Sequence, residues 1–208
     1  MDLRTHSGVH PRFGVVDVVP FVALDPDRRA QACALRDATA EWLATNFALP
    51  VFLYGPLPDG TSRSLPEVRR LAFSALAPDF GPDVAPARLG AVAVGCRPVL
   101  IAWNVWLRGV TLDEARAIAA ALRRPAVRAL GLRVGDDVQV SCNLLDADHV
   151  RASQIYDQIA SMLPPPGSIV RAELVGLAPE AFVAAERPDR LEQLGLSHST
   201  TIESRVAP

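Results

Sequence analysis

Hydrophobic and polar positions change period several times along the 208-residue chain, and each change predicts an element. Val15 to Leu24 is rich in β-branched and aromatic residues and reads as a strand. Asp25-Pro26 then supplies an N-cap and a first-turn proline, which predicts a helix to about Asn46. Val51 to Tyr54 is a short strand, and Gly55 to Gly60 is a turn cluster. Ser62 to Leu76 reads as a helix, and Pro78 to Pro86 as a Pro/Gly-rich loop. Val99 to Leu107 predicts another strand. Thr111-Leu112-Asp113-Glu114 has the form of a capping box, and Ala115, Ile118, Ala119 and Leu122 follow at helical spacing. Val127 to Val134 and Val138 to Leu144 predict two strands around the Gly135-Asp136-Asp137 turn. Ser153 is the expected cap of a helix carrying Ile155, Ile159, Met162 and Leu163. Pro164 to Gly167 breaks the chain, and Ile169 to Leu177 is the last expected strand.

The second half therefore reads βαββαβ, the ferredoxin-like split unit. In that arrangement the helices cover one face of an antiparallel sheet and leave the other free. In Val138 to Leu144 the apolar set is Val138, Val140, Cys142 and Leu144. The opposite set is Gln139, Ser141 and Asn143, small neutral hydrogen-bonding groups, and Asn104 interrupts an otherwise apolar strand. Such a face suits a ligand groove or a second sheet; an ordinary polar surface strand fits the same pattern. The fold class is α/β (α+β).

Composition narrows the function. Half of the residues are apolar and the mean hydropathy is +0.18, so a packed core is expected rather than disorder. A net charge of −2 argues against a nucleic-acid partner, which needs a basic surface. All 21 basic residues are Arg, which excludes Schiff-base chemistry and a P-loop lysine. Cys33, Cys96 and Cys142 are widely spaced, an odd count that predicts neither a disulfide framework nor a zinc site, and reads as small buried hydrophobes in a reducing compartment. The N-terminus has no apolar signal region, and Arg97 and Pro98 interrupt the longest apolar stretch, Val92 to Leu107, so no membrane span is expected.

The chemistry-bearing residues gather in His6-Ser7-Gly8-Val9-His10-Pro11-Arg12-Phe13-Gly14, on a loop entering a strand. Pro11 stiffens the backbone beside His10, and Gly8 and Gly14 permit close backbone approach. Histidine titrates near neutral pH and can take a proton from an amine or return one. Gly8 and Pro11 disfavour a helix that would present His6 and His10 together to zinc, and no third ligand is nearby.

Gly8-Val9-His10-Pro11-Arg12-Phe13-Gly14-Val15-Val16-Asp17-Val18-Val19-Pro20-Phe21 closely resembles the G-x-H-P-R-x-G-x-x-D-V-x-P-F stretch of the formiminotransferase domain of glutamate formimidoyltransferases. The similarity continues collinearly through Pro50–Gly55, Ser62–Pro66, Pro78–Pro82, Gly95–Arg97, Leu100–Val105, Val138–Leu144 and Glu173–Leu177. The resemblance implies two subdomains, residues 1–97 and 98–208, with sheets facing each other across a folate-binding tunnel and helices outside. It implies transfer of a formimino group from N-formimidoyl-L-glutamate to tetrahydrofolate, in histidine degradation, by a cytoplasmic homodimer that uses tetrahydrofolate as co-substrate and no metal. His10 aligns with the family's catalytic histidine, an acid/base. His6 is then a binding residue, and Arg12, Arg63 and Arg97 are candidate carboxylate clamps. Structural ion pairing is the alternative for each Arg. Asn104, Gln139, Ser141 and Asn143 would look into the tunnel.

The chain also departs from the family pattern. Family members begin well before their H-P-R motif, so the opening strands of the first subdomain are expected to be missing here. The remainder amounts to about one βαβ unit, too little to close its own core, and the chain is expected to be sticky or oligomeric. Arg69-Arg70-Leu71-Ala72-Phe73-Ser74 is followed almost directly by Pro78-Asp79-Phe80, where the family usually has a glycine, an acidic residue and a longer connection, and Trp106 stands where it commonly has Asn, which would narrow the tunnel or shift ligand preference. Three readings follow: an active transferase, an impaired folate-binding homologue, and one part of a split enzyme.

Overall fold

The computed structural model describes residues 2–8 and 12–206. The chain divides into two units, Met1–Pro98 and Val99–Pro208.

The first unit contains strand β1 (Val18–Phe21), helix α1 (Arg29–Phe47), strands β2 (Val51–Pro56) and β3 (Ser62–Arg63), helix α2 (Leu65–Leu71) and strand β4 (Val92–Cys96). They form a four-stranded sheet in the order β1-β4-β2-β3, with β1 and β2 parallel to β4 and β3 antiparallel to β2. β1 is shorter than its β-rich sequence predicts. Asp17 has a positive φ of 40°, so the ladder starts only after it. Residues 14 and 15 bond instead to Leu89 and Gly90.

Asp25 Oδ1 accepts the Asp27 N–H at 3.0 Å, and a 3-10 segment, Pro26–Arg28, leads into α1. Arg36, buried on this helix, donates from Nη1 to the carbonyls of Pro56 and, at 3.5 Å, Tyr54. It thereby fastens α1 to the end of β2.

The expected helix over Ser62–Leu76 is a strand followed by a shorter helix. Ser62 and Arg63 pair with Pro56 and Gly55. Ser64 then opens α2 through a reciprocal capping box with Glu67, with Ser64 N–H to Glu67 Oε2 at 2.7 Å and Glu67 N–H to Ser64 Oγ at 3.3 Å. β4 is buried at all five residues. A central parallel strand shows no alternation, so the sequence pattern merges it with the strand that follows.

α1 covers one face of this sheet, where Ala40 and Leu43 pack with Val51, Leu53, Val92 and Val94. On the other face Phe52, Tyr54, Ala91 and Ala93 pack with Val68 of α2 and with Phe13. The expectation that the first half is too small to close a core therefore holds only in part: Val51–Tyr54 of β2 and all of β4 are buried, whereas β1 and β3 are only partly covered.

The second unit has the predicted βαββαβ order: β5 (Ile101–Arg108), α3 (Leu112–Leu122), β6 (Val127–Val134), β7 (Asp137–Leu144), α4 (Ala152–Met162) and β8 (Ser168–Val175), followed by a short helix α5 (Glu180–Ala184). The sheet order is β6-β7-β5-β8, and every pairing is antiparallel. Thr111 and Glu114 form the predicted capping box of α3. A Cβ on Gly131 would lie 2.4 Å from the Arg116 nitrogen, so α3 rests directly on β6.

Ser153 does not cap α4. Arg151 stands at the N-cap without a side-chain bond. The Ser153 N–H instead donates to Glu186 Oε1 at 3.1 Å, and this buried carboxylate satisfies the helix N-terminus from beyond α5. The core joins Ile101, Trp103, Val105 and Leu107 to apolar residues of β6, β7, α3 and α4, and to Phe182, Val183 and Leu194. The Trp103 indole N–H donates to the Leu194 carbonyl at 2.8 Å.

Candidate active site

Val9, His10 and Pro11 lie outside the described residues, so the site in the first unit is built from what flanks them. The Ala91 N–H donates to the Phe13 carbonyl and the Val15 N–H to the Leu89 carbonyl, both at 2.8 Å. Gly14 bridges Gly90 in this approach, and a Cβ on Gly14 would lie 1.6 Å from the Ala91 carbonyl oxygen. Glycine at position 14 is therefore a requirement of packing the loop onto the start of β4.

Asp17 fixes the same loop from inside. Its Oδ1 accepts the Phe13 N–H at 2.9 Å, its Oδ2 pairs with Arg69, and its carbonyl accepts the Ala93 N–H at 2.9 Å. The Arg69 guanidinium lies 5.6 Å from the centroid of the Phe13 ring, which packs on Phe52. Phe13, next to Arg12, is thus held by a hydrogen bond to Asp17, by the Arg69 guanidinium that pairs with the same carboxylate, and by an aromatic contact with Phe52. Asp17 stands in the motif, but the sequence reading gave it no role; its partner Arg69 is 52 residues away.

His6 and Arg12 are exposed. His6 Nε2 accepts the Gly8 N–H at 3.3 Å. Arg63 is engaged structurally: Nη1 donates to Asp79 Oδ2 at 2.8 Å and to the Leu53 carbonyl at 3.2 Å. Asp79 Oδ2 also accepts the Leu53 N–H at 2.7 Å. This Arg–Asp pair clips the loop around Phe80 to β2. Arg97 Nη1 donates to the Pro98 carbonyl at 2.9 Å. Burial lowers the Arg97 pKa, and Tyr54 beside it pulls the other way.

The candidates of the second unit lie together on the sheet face opposite α3 and α4. Asn104 is the cross-strand partner of Ser141, Trp106 of Gln139, and Ala102 of Asn143. On the other side of β5, Asn104 pairs with Glu173 and Trp106 with Arg171. Asn104 Nδ2 donates to Glu173 Oε1 at 3.2 Å, and Arg171 pairs with the same carboxylate. The Arg171 guanidinium also lies 4.4 Å from the Trp106 ring centroid. Burial pushes the Glu173 pKa up, but hydrogen bonding from Asn104 and Arg171 outweighs it and holds the carboxyl below its usual value.

Arg171 and Glu173 are functional-face residues that the sequence reading left out, although two-residue alternation along the last strand brings both to one face. Gln139 is only 6% exposed, and its Oε1 accepts no hydrogen bond from the described residues. An unsatisfied buried acceptor costs about 1–3 kcal/mol, so this amide is poised for a donor.

Chemically, the first unit offers a loop anchored beside a histidine and an exposed arginine. The second offers a face of amides, hydroxyl, indole and one paired carboxylate, suited to a polar, planar ligand.

Comparison with known proteins bears on both. The sequence pattern of the formiminotransferase domain, N-terminal subdomain, matches residues 1–97. A formimidoyltransferase-cyclodeaminase from Rattus norvegicus is 33% identical over 86% of this chain, which corresponds to 37% of that protein. A glutamate formimidoyltransferase from Thermoplasma acidophilum is 28% identical over 99% of this chain and 74% of its own length. One from Streptococcus pyogenes is 28% identical over 86% of this chain and 66% of its own. The chain thus spans little more than a third of the rat protein and about three quarters of the archaeal one.

Proposed function

We propose that this chain, whose residues 1–97 match the N-terminal subdomain of the formiminotransferase domain, moves a formimino group from N-formimidoyl-L-glutamate to tetrahydrofolate, a step of histidine degradation. The observation that carries this reading is the H-P-R stretch within matched residues 1–97, flanked by a loop that Gly14 and Asp17 hold against β4.

In this reading the folate amine attacks the formimino carbon and the glutamate nitrogen leaves. His10 takes the proton from the attacking amine and returns it to the leaving one. Arg12 binds a substrate carboxylate. His6 lines the same approach. Arg63 acts through the clip it forms with Asp79, which sets the loop edge that substrate meets. Asn104, Gln139, Ser141 and Asn143 bind the folate ring system, with the unpaired Gln139 carbonyl accepting a ring or amino N–H. Residues 1–97 and 98–208 are the two subdomains. Tetrahydrofolate is a co-substrate, and the proposed chemistry is proton transfer and alignment without a metal.

The test is a spectrophotometric assay of formimino transfer by the purified chain and its variants. His10→Ala abolishes transfer while tetrahydrofolate still protects the protein thermally. Asp17→Asn, which loses the charge facing Arg69 but keeps an acceptor for Phe13, lowers turnover by on the order of 100-fold through misplacement of the loop. Normal turnover in His10→Ala would overturn the assignment.

We also propose a cytoplasmic homodimer. No described helix is long and apolar enough to cross a membrane. In the first unit Val16, Trp42 and Phe47 stay about half exposed around an apolar groove of about 330 Å³. Light scattering is expected to give twice the monomer mass, and a monomer at all concentrations would refute the dimer.

A further inference from the structure

We propose that Cys33 and Cys96 form a redox-active pair that closes to an intramolecular disulfide when a glutathione-type disulfide oxidises it. Three features of the first unit bring the two residues together. Successive β4 residues alternate between its two faces: Val92 and Val94 pack under α1, and Ala93 packs on the opposite side. Cys96 continues the α1 side by period two. On α1, the buried residues Ala32, Arg36, Ala40 and Leu43 mark the face turned to the sheet, and Cys33 flanks it, three residues before Arg36. Arg36 itself reaches the Tyr54 and Pro56 carbonyls at the end of β2. β2 pairs Tyr54 with Gly95, and a Cβ on Gly55 would lie 1.9 Å from the Cys96 carbonyl oxygen. The first turns of α1 are therefore level with the end of β4.

The two thiols interact: Cys33 hydrogen bonding and charge act on Cys96, after burial, as the next causes that raise the Cys96 pKa to about 11, while Arg36 and Arg29 favour its thiolate. Their environments differ in a way that gives the reaction an order. Cys33 is partly exposed and Cys96 is buried. Cys142 is also buried but belongs to the core of the second unit.

The Cys33 thiolate attacks one sulfur of oxidised glutathione, breaking its S–S bond and expelling one glutathione thiolate. Cys96 then loses its proton and attacks the Cys33 sulfur of the mixed disulfide, expelling the second glutathione. The two cysteines supply two electrons and two protons, and one oxidised glutathione becomes two reduced ones. The bond ties the start of α1 to the end of β4.

The experiment treats the native, full chain with excess oxidised glutathione and measures intact mass and cross-linked peptides. The expected product has lost two hydrogens, carries a Cys33–Cys96 peptide, and has a higher midpoint of thermal unfolding than the reduced protein. Cys96→Ser should instead stop at one stable glutathione adduct on Cys33, and Cys33→Ser should stay reduced. A wild-type protein that accumulates the glutathione adduct, or does not react at all, would overturn the proposal. None of these readouts depends on transferase activity.

Discussion

At the scale of single residues, Glu173 shows how an amide-rich face can hold a charge. Burial alone would raise its pKa, yet donors from Asn104 and Arg171 bring it below the ordinary 4.5. A carboxyl depressed by folding contributes stability above its unfolded pKa and loses that contribution as pH falls through the folded value. Glu173→Gln should therefore be less stable than the parent at neutral pH, with the gap closing as pH drops below 4.5. Urea titrations of both proteins over that range check it; a gap that persists unchanged in acid would mean that the carboxylate charge is not what stabilises the face. The polar character of this face is legible in the sequence because Gln139, Ser141 and Asn143 alternate with an apolar set. The charge cluster is not, because it needs the pairing of Asn104 with Glu173 across strands whose sequences are far apart. Arg63 shows the same limit. Its residue type allows a substrate clamp or an ion pair, and only the position of Asp79 against Leu53 N–H decides where the guanidinium goes.

At the scale of elements, local chemistry decides what can be read. The Thr111 capping box is legible because donor and acceptor lie three residues apart, and the Ser64–Glu67 box carries the same signal. The end of α4 is different. Its cap is Glu186, which reaches the Ser153 N–H from 33 residues away, so no local pattern announces it. The consequence is measurable by denaturant unfolding. Ser64→Ala and Thr111→Ala should each cost about 1 kcal/mol. Ser153→Ala should cost almost nothing, since its backbone rather than its hydroxyl makes the contact. Glu186→Ala should destabilise by about 1–2 kcal/mol, the loss of a buried charged cap. The reverse ranking of Ser153 and Glu186 would show that the serine side chain caps the helix. β4 escapes a pattern reading for a related reason. A strand buried on both faces has no alternation, and its apolar run continues toward β5 until Arg97 and Pro98.

At the scale of the whole molecule, the two units have separate cores. Every residue of the largest cluster lies between Ile101 and Leu196, and those of the other two clusters lie between Phe13 and Val94. The order βαββαβ is legible in the second unit because its helices and strands differ in period and each is bounded by a cap or turn. In the first unit the loop approach of Gly14 and the positive φ of Asp17 interrupt that simple reading. Residues 99–208 should consequently fold alone. Their sheet is covered by α3 and α4, and the C-terminal segment seals it with Phe182, Val183 and Leu194. Trp103 sits inside with its indole N–H bonded to the Leu194 carbonyl. The expressed fragment should give a sigmoidal thermal transition by circular dichroism, with the emission of its Trp106→Phe variant, in which Trp103 is the one indole left, shifting red in the same transition as that indole meets water. Removing the chain after residue 190 takes away Leu194 and Leu196, leaves the Trp103 indole N–H without its acceptor, and should lower the midpoint sharply. A fragment that melts without cooperativity, or that is indifferent to that truncation, would show that the second core depends on contacts outside its own residues.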